Sequence, residues 1–392
     1  MLRAFSNANV IDVIEQEIIP NCTVLVENGI IKAVGSEVDT TGAEIVDIGG
    51  KYLCPGLFNM HVHTTLDAKG QQLSTEADGT VNLILTAIEN LADYIKGGAT
   101  FVRDVGSFDF IFDLRNAVNS GRIKMAPDMQ LSGHSICQTG GTMWYSVSYE
   151  ADGVDECKKA ARKMIRAGAD WLKIMGTGAV VTRFSRPDAT QFSIEEIQAI
   201  VEEGHKVGIK SCIHVQNDLG ARNAILAGVD VLEHGFILSD ETIQLMLERG
   251  TWLDPTLSAP YCIAMRSSEK EFVEKASAAR DNAFATFRKA YRAGVPCVIS
   301  NDCGSPKCFH IDTSMELVLM VEQCGLTPFE ALYVGTMNGA KLCSVDHILG
   351  SVTVGKKAHF AVFEKDPIAD INNVRNNVMT IKNGEVIWQK ES

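Results

Sequence analysis

The stretch FNMHVHTTLD, Phe58 to Asp67, places His61 and His63 one residue apart on an apolar run, in a chain with only 9 histidines. Side chains two apart on a strand point to the same face. Both imidazoles then emerge side by side, with Val62 turned away. Adjacent neutral imidazoles pack a core poorly and make a good start on a metal site. The dipeptide spacing alone equally fits two polar residues at a strand end. The other ligand-type residues therefore have to decide.

Those residues recur at the ends of apolar runs, just before a glycine, a turn or a helix: Asp104, His134, Lys173, His214, His234 and Asp302. Lys173, in DWLKIMGTG, is costly inside a strand that otherwise wants burial, unless it is paired or chemically changed. A protonated amine cannot ligate a metal, so a buried ion pair with Asp302 or Asp104 is the alternative. His214, in SCIHVQND, and His234, in VLEHGF, taken singly fit satisfied core histidines. Asp302, in CVISND, taken singly fits a helix cap or turn. Together they place ligand-type residues at five strand ends, which points to a metal site.

The elements that must position them alternate through the middle of the chain. Candidate strands are GLFNMHVH, TFVRDVG, DMQLSGH, DWLKIMG, IKSCIHV, VDVLEHG, TWLDPTL and VPCVISND. Helical patterns separate most of them. Phe192 to Val207 is the clearest, with a capping box at Ser193 and Glu196 and a stop at Gly208. Ser239 opens another helix, and Thr327, Pro328 and Glu330 open a third. Eight strands alternating with helices predict an α/β fold of the (β/α)8 (TIM) barrel type over residues 57–345. A doubly wound sheet is the alternative, but no Gly-rich phosphate loop follows the first strand. In a barrel, the polar strand ends share the C-terminal face, where chemistry sits. The two ends of the chain differ from the middle: TVLVENGIIKAVG and VMTIKNGEVIWQ read as hairpins about Asn28-Gly29 and Asn383-Gly384. Residues 1–56 and 346–392 are therefore expected to meet in one small β-sandwich domain.

The formal charge of −13 argues against a nucleic-acid partner. The 11 cysteines follow no disulfide framework, and several sit in apolar runs, such as Cys212 and Cys297. That fits free thiols in a reducing compartment. The N-terminus does not read as a signal peptide, and no apolar run reaches the roughly 18 residues of a membrane span. A cytoplasmic, enzyme-sized protein is expected, with a small-molecule substrate, a homo-oligomeric assembly, and neither nucleic acid nor membrane as partner.

The motifs PGLFNMHVH, LKIMGTG, IHVQ, LEHG and SND, in this order, resemble the amidohydrolase superfamily across nearly the whole chain. RDVG at Arg103 to Gly106, QTGG at Gln138 to Gly141, EHG at Glu233 to Gly235 and PTL at Pro255 to Leu257 resemble its prolidase-like (Xaa-Pro dipeptidase and imidazolonepropionase-related) members. The resemblance implies two divalent ions, most often zinc. It assigns His61, His63 and Asp302 to one ion and His214 and His234 to the other. Lys173, carboxylated by CO2, would bridge them. It further implies a metal-bridging hydroxide as nucleophile, Asp302 as general base and then acid, and hydrolysis of a C–N amide bond in an Xaa-Pro-like dipeptide or N-acyl amino acid.

Relatives continue TGG with His; here Thr142, Met143 and Trp144 follow, which unsettles dipeptide specificity. His134 could compensate, or be a solvated loop histidine. Arg183 and Arg186, in VVTRFSRPD, could clamp a substrate carboxylate, and Tyr261 could donate its hydroxyl to it. Solvation or packing accounts for each as well. Arg103 and Asp104 are expected to form a structural ion pair, and Cys303, Cys308 and His310 match no standard zinc spacing. A mononuclear deaminase or cyclic-amide hydrolase is the competing function. Base deaminases place HxxE on the fifth strand, where this chain has Asn217. A non-enzymatic scaffold is the third.

Overall fold

The computed structural model describes residues 1–70, 72–182 and 185–391. The first five strands are β1 (Leu2–Asp12), β2 (Glu17–Glu27), β3 (Ile30–Gly35), β4 (Glu44–Asp47) and β5 (Tyr52–Pro55). The middle of the chain carries β6 (Leu57–Val62), β7 (Ala99–Asp104), β8 (Asp128–Leu131), β9 (Ser135–Cys137), β10 (Ser148–Glu150), β11 (Trp171–Met175), β12 (Lys210–Val215), β13 (Val231–His234) and β14 (Trp252–Asp254). The last three are β15 (Phe360–Phe363), β16 (Asn377–Lys382) and β17 (Glu385–Gln389).

The two chain ends do meet. They share an 8-stranded sheet of order β17-β16-β15-β5-β1-β2-β3, with β4 beside β1. All eight strands are hydrogen-bonded into one sheet around a shared apolar core, in part as the expected sandwich has it. Both predicted hairpins form at left-handed residues, Asn28 (φ 51) with Gly29 (φ 82) and Asn383 (φ 50) with Gly384 (φ 72), as a tight two-residue turn requires. The join is antiparallel pairing of β5 with β15, Leu53 opposite Val362. Phe5, Val24, Leu53, Phe360, Val362 and Ile381 make one apolar core beneath it.

The middle is mixed α/β. Strands β6-β7-β8 form a 3-stranded sheet and β10-β9-β11-β12-β13-β14 a 6-stranded one, and every pairing in both is parallel. From β11 to β14 spatial order follows chain order, so these strands show no reversal of the kind a doubly wound sheet has. Helices Thr80–Lys96, Gly153–Ala167, Ile194–His205, Asp218–Leu226, Asp240–Arg249 and Lys270–Ala293 connect the strands. The predicted capping boxes at Ser193 and Thr327 are present, and the Ser239 hydroxyl caps its helix.

Two expected strands differ. DMQLSGH breaks at Gly133 (φ 70), so that β8 pairs with β7 while β9 pairs with β11. VPCVISND is not a regular strand. Pro296 has no N–H to donate, and Asp302 turns left-handed at φ 49. The segment still bonds on both sides: to Leu253 through Pro296 O (2.9 Å) and Val298 N (3.2 Å), and to Met60 N through Ile299 O (3.0 Å).

Leu53 is fully buried between strands from opposite chain ends. Leu53→Ala is expected to lower unfolding free energy by about 2–5 kcal/mol, read as a fall in the urea midpoint at unchanged slope.

Candidate metal centre

Strand β6 carries the two histidines that opened the sequence, but not by plain alternation. Phe58 and Met60 pack inward with Phe101, Trp171, Cys212, Val231 and Val298. Strict alternation would then turn His61 and His63 outward. Between Asn59 and Val62 the register against β7 slips by one residue. Such a bulge re-aims the side chains beyond it, so His61 and His63 face the same interior as Met60. Val62 joins the outer core, as its spacing predicts.

His234 needs a second irregularity. Its predecessor Glu233 points inward, so on a regular strand His234 would point out. His234 and Gly235 both adopt left-handed backbone, φ 72 and φ 55. Asp302 does the same at φ 49. Left-handed backbone at a non-glycine residue costs about 1–3 kcal/mol, and here it turns both side chains into the cavity.

His61, His63, Lys173, His214, His234 and Asp302 line one cavity. The four histidines and Lys173 are at most 5% exposed. Each imidazole is held by one nitrogen. His63 Nδ1 donates to Gly106 O at 2.7 Å, and His214 Nε2 donates to Gly178 O at 3.1 Å. A carbonyl can only accept, so those nitrogens carry the proton. His61 Nδ1 donates to Glu233 Oε2 at 2.7 Å, and His234 Nδ1 meets Thr256 Oγ1 at 2.7 Å. His61 and His63 therefore turn Nε2 toward Asp302 Oδ1, at 3.5 Å and 3.2 Å. Ligand atoms of His61, His234 and Asp302 lie within 4.8 Å of one another.

Burial drives the His61 and His234 pKa values well below the ordinary histidine range, with the Lys173 charge adding to it in both. Burial and Lys173 push His214 down to about 4. Burial would raise Asp302, but His61, His63 and Lys173 outweigh it and hold the carboxyl below its usual value. Two imidazole nitrogens and a carboxylate oxygen thus converge, an arrangement that a cation among them would satisfy. Lys173 Nζ is buried without a hydrogen-bond partner, and no ion pair joins it to Asp302 or Asp104 among the described residues. Imidazoles, a carboxylate and a buried amine without a hydrogen-bond partner are a donor set that fits divalent metal.

Behind His61 lies a buried network that local sequence patterns do not announce. Arg103 donates through Nη2 to Glu233 Oε1 (2.7 Å) and Asp254 Oδ2 (3.1 Å), and through Nε to Met60 O (2.6 Å). Its guanidinium lies over the Trp171 ring at 4.6 Å, and Ser300 donates to Asp254. The expected Arg103–Asp104 ion pair does not form. Neighbours on a strand face opposite ways, and Asp104 instead accepts from Thr64 N, Gly106 N and the Ser107 hydroxyl. Glu233 was visible only as part of EHG; its inward parity was the signal that could have found it.

The expected substrate contacts fare differently. His134 pairs with Asp109 at 3.3 Å and does not line the cavity. Arg186 is engaged by Asp188 at 2.6 Å and is largely exposed. Tyr261 packs against the core, while its neighbours Pro260 and Ile263 face the cavity. Arg183 lies outside the described residues. Thr142 lines the cavity, but its hydroxyl is taken by Thr177 O and by Gln191 Nε2, both at 2.8 Å. Cys303, Cys308 and His310 do not converge: they bond to Tyr94 OH, Ala259 O and His63 O. All eleven cysteines are free and buried, and no described helix is long and apolar enough to cross a membrane.

Two outcomes follow. Glu233→Gln should weaken metal binding by about 10–100-fold, measured by competition with a chelator. Burial keeps His61, His214 and His234 neutral in the fold, and likewise His310 and His359, each pushed down to about 4. The unfolded chain takes up these protons near pH 6.5. Their contribution to stability is complete above about pH 6.5 and is lost as pH falls toward 4. The urea midpoint of metal-free protein should fall across that window, with a shallower slope in His359→Gln.

The chain is similar to known proteins along nearly its full length. The profile of the Amidohydrolase family matches residues 52–387. Ochratoxinase from Aspergillus niger is 28% identical over 389 residues, covering 90% of this chain and 79% of its own. Imidazolonepropionase from Geobacillus sp. is 25% identical over 408 residues, covering 95% and 91%. The crystal structure of a Xaa-Pro dipeptidase with bound methionine in the active site superposes with TM-score 0.87 at 28% identity, covering 99% of this chain and 100% of that one. A profile match over most of the chain, on the strands that carry the cavity, means that this protein belongs to the amidohydrolase family and is a hydrolase acting on C–N bonds.

Proposed function

We propose that the cavity holds two divalent ions, with zinc the best match to its imidazole and carboxylate donors, and that it hydrolyses the amide of an N-acylated amino acid or similar apolar amide. The observation that carries the metal reading is His61 Nε2 and His63 Nε2 facing Asp302 Oδ1 at 3.5 Å and 3.2 Å while each Nδ1 is already committed. His61, His63, Lys173, His214, His234 and Asp302 are the proposed ligands. Lys173 is proposed to react as the free amine with CO2, forming an N–C bond and releasing one proton. The anionic carbamate is an oxygen ligand that an ammonium cannot be. When bound, the ions polarise the scissile carbonyl and bring the pKa of a nearby water toward about 7.

The protein's own groups do the rest. Asp302, held ionised, accepts the proton of the attacking water as its oxygen bonds to the carbonyl carbon. The same carboxyl returns that proton to the nitrogen as the C–N bond breaks. Glu233 keeps His61 in one tautomer, and the Gly106 carbonyl holds the His63 ring in place. The surrounding parallel strands, joined on both sides by residues 296–303, fit a (β/α)8 barrel with the site at its C-terminal face, flanked by the terminal sheet as a domain of 1–56 and 346–392. A homo-oligomer in a reducing cytoplasm belongs to the same proposal.

Among the described lining residues, Lys173 and Asp302 are the only cation and acid, and both belong to the proposed metal set. The ammonium of a free dipeptide would meet no other carboxylate among these described residues. The walls at Met143, Met175, Val180, Val181, Phe236, Ala259 and Ile263 are apolar. This favours an N-acyl group over an Xaa-Pro dipeptide. The deaminase reading is disfavoured by Asn217, which caps a helix by accepting from Gly220 N at 2.8 Å and donates to Pro187 O at 2.7 Å.

Metal-loaded enzyme should hydrolyse N-acyl amino acids faster than the matched free dipeptides; the reverse order would reject this substrate class. Lys173→Ala should bind less than two equivalents of metal by elemental analysis and lose activity. Retention of both metals with full turnover would remove the bridging role. Asp302→Asn should lower kcat by about 100-fold or more, and near-wild-type kcat would exclude it as the proton carrier.

A further inference from the structure

A second cavity, of about 220 Å³, adjoins the catalytic one. The two share Val180, Gln216 and Phe236 as lining residues. Beyond them the outer cavity is walled by Ile237, Ala278 and Ala279, with Pro187, Lys275 and Asn282 completing it. The polar side chain common to both is Gln216, immediately after β12. Its main-chain N–H is pinned by the Thr177 hydroxyl at 3.0 Å. The residue is 6% exposed, and its Oε1 is buried without a hydrogen-bond partner. A buried acceptor left unmade costs free energy that a ligand donor recovers. Ile237, in the outer wall, is 47% exposed, so the apolar surface there is open to an incoming group.

We propose that the outer cavity is a second substrate subsite, taking an apolar arm attached to one side of the scissile amide, and that Gln216 Oε1 accepts an N–H or O–H of the substrate where that arm passes from one cavity to the other. The inference rests on the amide-hydrolase reading of the inner cavity and adds the shape of the substrate. It takes an amide with a hydrocarbon or aryl arm several atoms long and a hydrogen-bond donor near the reacting centre. Lys275 does not define the charge of that arm, because its ammonium is occupied by Glu271 at 2.7 Å and Ser185 O at 3.0 Å.

The test is calorimetric binding to the metal-loaded protein of probes that resist hydrolysis. They are N-methyl-4-phenylbutanesulfonamide, its N,N-dimethyl counterpart, and N-methylmethanesulfonamide. The phenylbutyl arm should improve binding by about ten-fold or more over the methyl probe, as burial of an aryl group predicts. Ala278→Trp, at an exposed helix position that lines only the outer cavity, should abolish that gain and leave the methyl probe unaffected. Loss of the N–H should weaken binding about five- to ten-fold in wild type and not in Gln216→Leu. An arm effect that survives Ala278→Trp would overturn the subsite. An equal N–H effect in Gln216→Leu would overturn the role of Gln216. Because the readout is binding, this pattern persisting without any amide hydrolysis would reject the proposed reaction and leave the subsite standing.

Discussion

Two imidazole nitrogens, His61 Nε2 and His63 Nε2, are held 3.5 Å and 3.2 Å from one ionised carboxylate oxygen inside a cavity. Holding these groups together is the constraint on which the interior of this protein depends. Each histidine is prevented from turning away by a bond on its far nitrogen, to Glu233, Gly106, Gly178 or Thr256. Burial prevents His61, His214 and His234 from escaping by protonation. Asp302 cannot escape either, since its surroundings favour the ionised form. A lysine amine without a partner completes the set. Cations bound among these groups would satisfy the arrangement.

Holding it has a structural cost, visible in the backbone. One bulge in β6 and left-handed residues at His234 and Asp302 depart from regular geometry. All three departures lie at the ends of strands or extended segments, where the ladder is finishing and the fewest hydrogen bonds are lost. The strands before them are buried in the core, and that packing offsets the strain. The two parallel sheets and the segment bonded between them act as the frame, and their irregular ends aim the cavity residues.

The same division appears one layer deeper. Arg103, Glu233 and Asp254 are fully buried, which is expensive unless every charge is paired. Asp254 lies beside Glu233, and burial together with that neighbour raises its pKa well above the usual carboxylate range. A shared proton then lets one guanidinium satisfy both acids. This network supplies no catalytic group; it fixes the Nδ1 proton of His61, and through it the direction of the Nε2 lone pair.

Much of this was legible in the residues. Parity put His61 and His63 on one face, turn chemistry at Asn28-Gly29 and Asn383-Gly384 marked the hairpins, and capping boxes at Ser193 and Thr327 marked helix starts. These are local effects, decided within a few residues by steric preference and hydrogen bonding, so sequence determines them. Ligand-type residues at successive strand ends were equally legible, and six of them line one cavity. What tertiary structure alone decided was direction. Arg103 chose Glu233 across the interior over adjacent Asp104, because strand neighbours face apart. Tyr261, His134 and Arg186 were chemically suitable yet point at core, Asp109 and Asp188. Gln216 carried no signal in its own neighbourhood: an unsatisfied carbonyl between two cavities exists only once distant segments have packed around it.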